Sequence, residues 1–119
     1  MKKLTPKEEQ VMQILWQLNT AFLKDIWEAL DEPRPPITTI ASIVKKLEGA
    51  DFIDHESFGR THRYFAKVTK ETYRNSSLKS LLNNYFEGSP KQVLSYFVEE
   101  ENMDAEEINR LLREIEDKE

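Results

Sequence analysis

The chain has no cysteine, which excludes a disulfide framework, a thiolate metal site and a cysteine nucleophile. It has only three glycines, and they form neither a glycine-rich phosphate loop nor a nucleophile elbow around a serine. His55 and His62 are its two histidines; they stand without H-x-x-x-H spacing, so the linear sequence offers no metal site and no cofactor is expected. Nowhere does an apolar run approach the ~20 residues a membrane span needs. The opening MKKLTPKEEQ has no long apolar stretch after its lysines, unlike a secretory signal. No cluster of convergent polar residues suggests an enzyme. A soluble, cytoplasmic protein without catalytic or membrane-inserted parts is the expectation.

What is present is unevenly distributed. The formal charge is −5, yet residues 1–70 carry 11 Lys/Arg against 10 Asp/Glu, while residues 71–119 carry 6 against 12. The acidity belongs to the second part, and the first is free to face a polyanion.

Local signals divide the first part further. Thr5-Pro6-Lys7-Glu8 is a capping box with proline at the first helical position; Val11, Ile14, Leu15 and Leu18 follow at helical spacing, and Asn19-Thr20 ends the run. A shorter helix carries Leu23, Ile26, Trp27 and Leu30. The segment DEPRPP (31–36) has three prolines and cannot be helix. A third helix, ITTIASIVKKLE (37–48), ends near Gly49. The period then changes: FIDHES and THRYFA, rich in aromatic and threonine residues and joined through Gly59, predict a β-hairpin over about 52–66. Three helices followed by a hairpin is the winged helix-turn-helix order. The expected fold is mainly α with a small β wing: a winged-helix domain over 1–70 and a three-helix region over 71–119.

Wound at 100° per residue, the third helix separates two faces. Ile37, Ile40, Ile43, Val44 and Leu47 form a core stripe. Thr38, Ser42, Lys45 and Lys46 lie opposite, with no acidic residue before Glu48. Small side chains at Thr38, Thr39, Ala41 and Ser42 let a helix backbone sit deep in a major groove ~12 Å wide, and hydroxyls bond several base edges. This is also the second helix of the pair, the one that enters the groove. Thr38, Thr39 and Ser42 are therefore expected to reach base edges, with Ala41 beside them against the DNA, and Lys45 and Lys46 to hold phosphates. Arg60, His62 and Arg63 on the hairpin are further phosphate candidates, with Lys3, Lys7 and Arg34 as weaker ones. The competing reading is a winged helix that binds protein rather than DNA.

Residues 71–119 show three more apolar stripes. Tyr73, Leu78, Leu81, Leu82, Tyr85 and Phe86 mark one helix, which Gly88 stops. Ser89-Pro90 starts another with Val93, Leu94, Phe97 and Val98. Asp104 to Glu107 is a capping box before Ile108, Leu111, Leu112 and Ile115. So short a segment buries too little to stand alone, and a second copy is the expected partner. Leu78, Leu81, Leu82, Tyr85, Leu94, Phe97, Val98, Ile108, Leu111, Leu112 and Ile115 are the expected dimer contacts. A two-fold dimer presents two recognition helices to a palindromic double-stranded DNA operator.

These residues resemble those of the penicillinase repressors, the BlaI/MecI type of bacterial winged-helix regulator. LTPKEEQVMQILW (4–16) looks like the family's opening helix, TTIASIVKKLEGADFIDHESFGRTHRYFAKV (38–68) like its recognition helix and wing, and VLSYFVEEENMDAEEINRLLREI (93–115) like its dimer helices. The resemblance implies a homodimeric repressor of resistance or stress genes. It also implies release from DNA through a membrane sensor protease pathway that responds to β-lactam and leads to cleavage, which falls here at Tyr96-Phe97. Three departures stand out. Tyr96 replaces a usual asparagine, Ala41 replaces a long basic or polar residue, and Asp51 replaces the glycine that usually ends the recognition helix. A cysteine-rich, copper-responsive tail, found in one branch, is missing.

Overall fold

Thr5 starts the first helix as its pattern requires. Its Oγ1 accepts the amide of Glu8 at 3.2 Å, and its own amide donates to Glu8 Oε1 at 2.9 Å. Helix α1 then runs Pro6–Leu18. Glu8 is buried. Burial disfavours its charge, but the Lys2 ammonium, 2.7 Å from Oε2, and the Thr5 bonds outweigh that and hold its carboxyl below the usual range.

The computed structural model describes residues 1–99 and 104–117, apart from the side chains of 97, 105, 111, 112 and 115–117. The expected dimer contacts Phe97, Leu111, Leu112 and Ile115 have side chains outside the described residues. Two compact units divide at residue 70, Met1–Lys70 and Glu71–Glu119.

In the first unit α1 is followed by β1 (Thr20–Phe22), α2 (Leu23–Glu28), α3 (Ile37–Gly49), β2 (Ile53–Phe58) and β3 (Thr61–Ala66). This is a winged helix. The strand β1 is not visible in the sequence pattern; it pairs antiparallel with β3, extending the hairpin to a three-stranded sheet of order β1-β3-β2. Helix α2 ends at Glu28, so Leu30, expected on it, lies beyond its end. Val11, Met12 and Leu15 of α1, Ile26 of α2, Ile40, Val44 and Leu47 of α3, and Ile53 of β2 are buried and form the core. Two indoles pin the periphery: Trp16 Nε1 donates to Val68 O at 2.8 Å and Trp27 Nε1 to Pro35 O at 2.7 Å.

The end of α3 is built without glycine at its left-handed position. Phe52 N donates to Leu47 O at 3.0 Å and Asp51 N to Glu48 O at 3.1 Å, the paired bonds of a Schellman turn. Asp51 takes the positive φ, 62°. The apolar contact that accompanies this turn matches Phe52 and Leu47, both buried. The helix therefore ends at Gly49, and Asp51 supplies the left-handed residue of its closing turn. A non-glycine residue in this region costs about 1–2 kcal/mol, and the exposed Lys67–Asp51 pair, at 3.5 Å, offsets little of it. Asp51→Gly is expected to stabilise the first unit by about 0.5–1 kcal/mol, read as a thermal midpoint a few degrees higher. A lower midpoint would show that Asp51 makes up for its backbone cost.

In the second unit α4 spans Lys70–Tyr85, α5 Pro90–Glu99 and α6 Ala105–Asp117. Gly88, at φ 73°, closes the end of α4 by donating to Leu82 O at 2.9 Å. Ser89 Oγ caps α5 by accepting the amide of Gln92, and Asp104 Oδ1 caps α6 by accepting that of Glu106. Leu82, Val93 and Ile108 form the unit's own buried cluster, with Leu78, Phe86 and Leu94 packed against it. Leu82 and Ile108, expected at a dimer seam, are thus already covered within one chain, while Tyr85 is 76 % exposed and Val98 37 %.

Candidate nucleic-acid interface

The side of α3 away from the core is the side the periodicity singled out. Thr38, Ser42, Lys45 and Lys46 are exposed, whereas Thr39 and Ala41 are half-covered at its margins. Its N-terminus has no side-chain cap and no acidic residue in the first turn, so the positive end of the helix dipole is not neutralised there. Among the described residues, neither lysine is held in an ion pair. Glu48, the first acid of the helix, is turned to His55, whose Nδ1 lies 2.6 Å from Glu48 Oε2.

Ile37 corrects the sequence reading. Assigned to the core stripe, it is 39 % exposed. It lies one turn before Ile40, where the covered positions begin, and leaves an apolar surface at the mouth of the polar face.

The wing turns at Gly59, φ 61°, between the paired residues Phe58 and Thr61. That is the first central position of a two-residue hairpin turn, where a positive φ favours glycine. Arg60 stands exposed at the tip. His62 and Arg63, grouped by the sequence, are separated by strand alternation. His62 stacks on His55 with ring centroids 3.9 Å apart. Arg63 lies on the opposite face, where it bonds Glu56 Oε2 at 3.0 Å and covers the Phe58 ring at 4.6 Å.

Arg34 is also redirected. Its guanidinium donates to Leu30 O and Glu28 O, each at 3.0 Å, and to Glu32 Oε1 at 3.1 Å, and lies 5.2 Å from the centre of the Trp27 ring. It satisfies carbonyls at and beyond the end of α2 and ties down the loop before α3, so its guanidinium is already engaged within the protein. Lys3 and Lys7 line a groove with Ile40 and Ile43, on the flank of α3 opposite Ser42, and so lie away from the candidate face.

In the second unit the expected cleavage point, Tyr96-Phe97, lies within α5. Tyr96 is exposed and meets Phe86 edge-on at 5.6 Å. Among the described residues no helix is long and apolar enough to cross a membrane.

Comparison with known proteins bears on this arrangement. The family model described as "Penicillinase repressor" matches residues 4–117. The "Methicillin resistance regulatory protein MecI" of Mammaliicoccus sciuri is 25 % identical over 110 residues, covering 92 % of this chain and 89 % of that protein. Its namesake from Staphylococcus aureus strain N315 shows the same identity and coverage. The "Penicillinase repressor" of Bacillus licheniformis is 25 % identical over 120 residues, 97 % of this chain and 91 % of that one.

Proposed function

The chain belongs to the penicillinase repressor family, and from that premise we propose that it is a cytoplasmic, homodimeric transcriptional repressor that binds a palindromic DNA operator. The observation that carries the reading is the exposed flank of α3: short, hydroxylated, basic and free of carboxylates. Thr38 and Ser42 reach base edges, with Thr39 and Ala41 at the margins of the contact. Ile37 adds an apolar surface suited to a thymine methyl. Lys45, Lys46, Arg60 and His62 hold phosphates. Arg63 joins them only by giving up Glu56. The names of the relatives, a penicillinase repressor and a methicillin resistance regulator, favour resistance genes as the regulated set.

Dimerisation belongs to the acidic second unit, which like-charge repulsion keeps away from phosphate. Exposed Tyr85, Tyr96 and Val98 offer it apolar surface beyond the core that one chain completes, with half-buried Leu78, Leu81 and Leu94 beside them. Release through a membrane sensor protease pathway is inferred from the family alone. Cleavage at Tyr96-Phe97 first requires α5 to open locally, since a helical bond is a poor protease substrate.

A mobility shift on the chain's own upstream DNA tests the reading, with two chains expected per palindrome. Lys46→Ala is expected to weaken binding about equally on operator and random DNA and to lower the salt slope by roughly one unit. An unchanged slope would remove Lys46 from the phosphate contacts. No salt-sensitive retention by the unmodified protein would favour a protein-binding winged helix instead.

A further inference from the structure

Where α3 meets the wing, the fold assembles a group that has no linear signature. Glu48 comes from the last turns of α3, and Asp54 and His55 from the start of β2. One ligand atom from each lies within 4.8 Å of the others. Glu48 Oε2 and His55 Nδ1 are 2.6 Å apart. Asp54 Oδ1 accepts the amide of His55 at 2.8 Å, which orients the carboxylate and leaves its second oxygen available. We propose that Glu48, Asp54 and His55 form a binding site for a divalent transition-metal ion of the zinc class, tying the recognition helix to the wing.

Charge favours an ion here. Two carboxylates converge with one imidazole, and among the described residues neither carboxylate is ion-paired with a lysine or arginine. Tyr64 meets His55 edge-on at 5.8 Å, closing one side of the group.

Geometry favours it as well. Zinc holds nitrogen and oxygen ligands at about 2.0–2.2 Å, so two ligand atoms around a tetrahedral ion stand roughly 3.3–3.5 Å apart. The Glu48–His55 contact must widen by less than about 1 Å, and Asp54 must close by up to about 1.5 Å. Both adjustments fall on side chains that keep access to solvent, 34 % exposed for Glu48 and 25 % for His55. The ion takes the place of the Nδ1–Oε2 contact, and His55 offers Nδ1 to it as an acceptor with the ring proton on Nε2. His62 is stacked face to face on His55, so its nitrogens lie in a parallel plane, and water completes the coordination. An imidazole ligand beside two carboxylates suits zinc and disfavours magnesium, which takes oxygen ligands in octahedral geometry.

The site stands independently of DNA binding, and its test uses the full-length protein without DNA. Calorimetric titration with zinc chloride is expected to show one ion per chain with micromolar affinity, undiminished by excess magnesium. His55→Ala and Asp54→Asn should each weaken binding by roughly tenfold or more, with circular dichroism unchanged because neither side chain belongs to the buried core. In nitrogen-15 correlation spectra of the unmodified protein, zinc should shift the amides of residues 48 and 54–55 ahead of those elsewhere. Three results would overturn the proposal: no heat at micromolar zinc, uptake that His55→Ala leaves intact, or shifts centred away from the α3–β2 junction.

Discussion

Ser42→Glu is expected to reduce operator affinity by roughly 100-fold or more while leaving the thermal midpoint unchanged. Two contributions add. A lost base contact costs about 1–3 kcal/mol, and a like charge set against phosphates costs up to several more. Each alone is worth about tenfold or more, and together they reach roughly 100-fold or beyond. The midpoint should hold because Ser42 is exposed on the far side of α3 from the core. The measurement pairs a mobility shift on the upstream palindrome with thermal unfolding. Near-normal affinity in the variant would mean that this flank does not face DNA, and the functional reading would fall with it.

Leu47→Ala makes the opposite separation on the same helix. Leu47 is fully buried, and its carbonyl accepts the Phe52 amide that closes the α3 turn. Truncation removes the transfer energy of the side chain and leaves a cavity, about 2–5 kcal/mol together. Set against a typical stability of 5–15 kcal/mol, that is a large share. Urea unfolding should show an earlier midpoint with an unchanged slope. DNA affinity at a temperature where the variant remains folded should stay close to that of the parent. A loss below about 1 kcal/mol would show a site that collapses around the smaller residue. The two substitutions, five residues apart in sequence, thus test separately what the helix reads and what holds it in place.

Much of this was legible before any coordinates. The two faces of α3 are a matter of period: side chains 100° apart sort themselves once the helix forms, and Ile40, Val44 and Leu47 became core as the pattern required. The Thr5 capping box and the Gly59 turn are equally local, because each needs particular residue types at fixed short offsets. Strand β1 was not legible: three residues are too few to show alternation, and their pairing partner lies on β3, more than 40 residues later in the chain. The exposure of Ile37 was hidden because an apolar residue at a stripe position gives no sign of whether the core extends that far.

Side chains whose partners lie elsewhere account for the remaining differences. Arg34 looked like a spare cation among prolines, but the loop folds back and gives it carbonyls and an indole. Leu82 and Ile108 were expected at a dimer seam, and within one chain they are buried in a cluster with Val93 of α5.

The sequence by itself determined the helices, the hairpin, the charge division near residue 70 and the family, because each depends on short-range periodicity, turn chemistry or motif order. Only the tertiary structure decided that His62 and Arg63 face opposite ways, that Arg34 bonds the carbonyls of its own loop, and that Glu48, Asp54 and His55 meet at one point. Those outcomes depend on how α3, the wing and the proline loop are set against one another, and residues remote in the chain meet there without any fixed spacing to announce them.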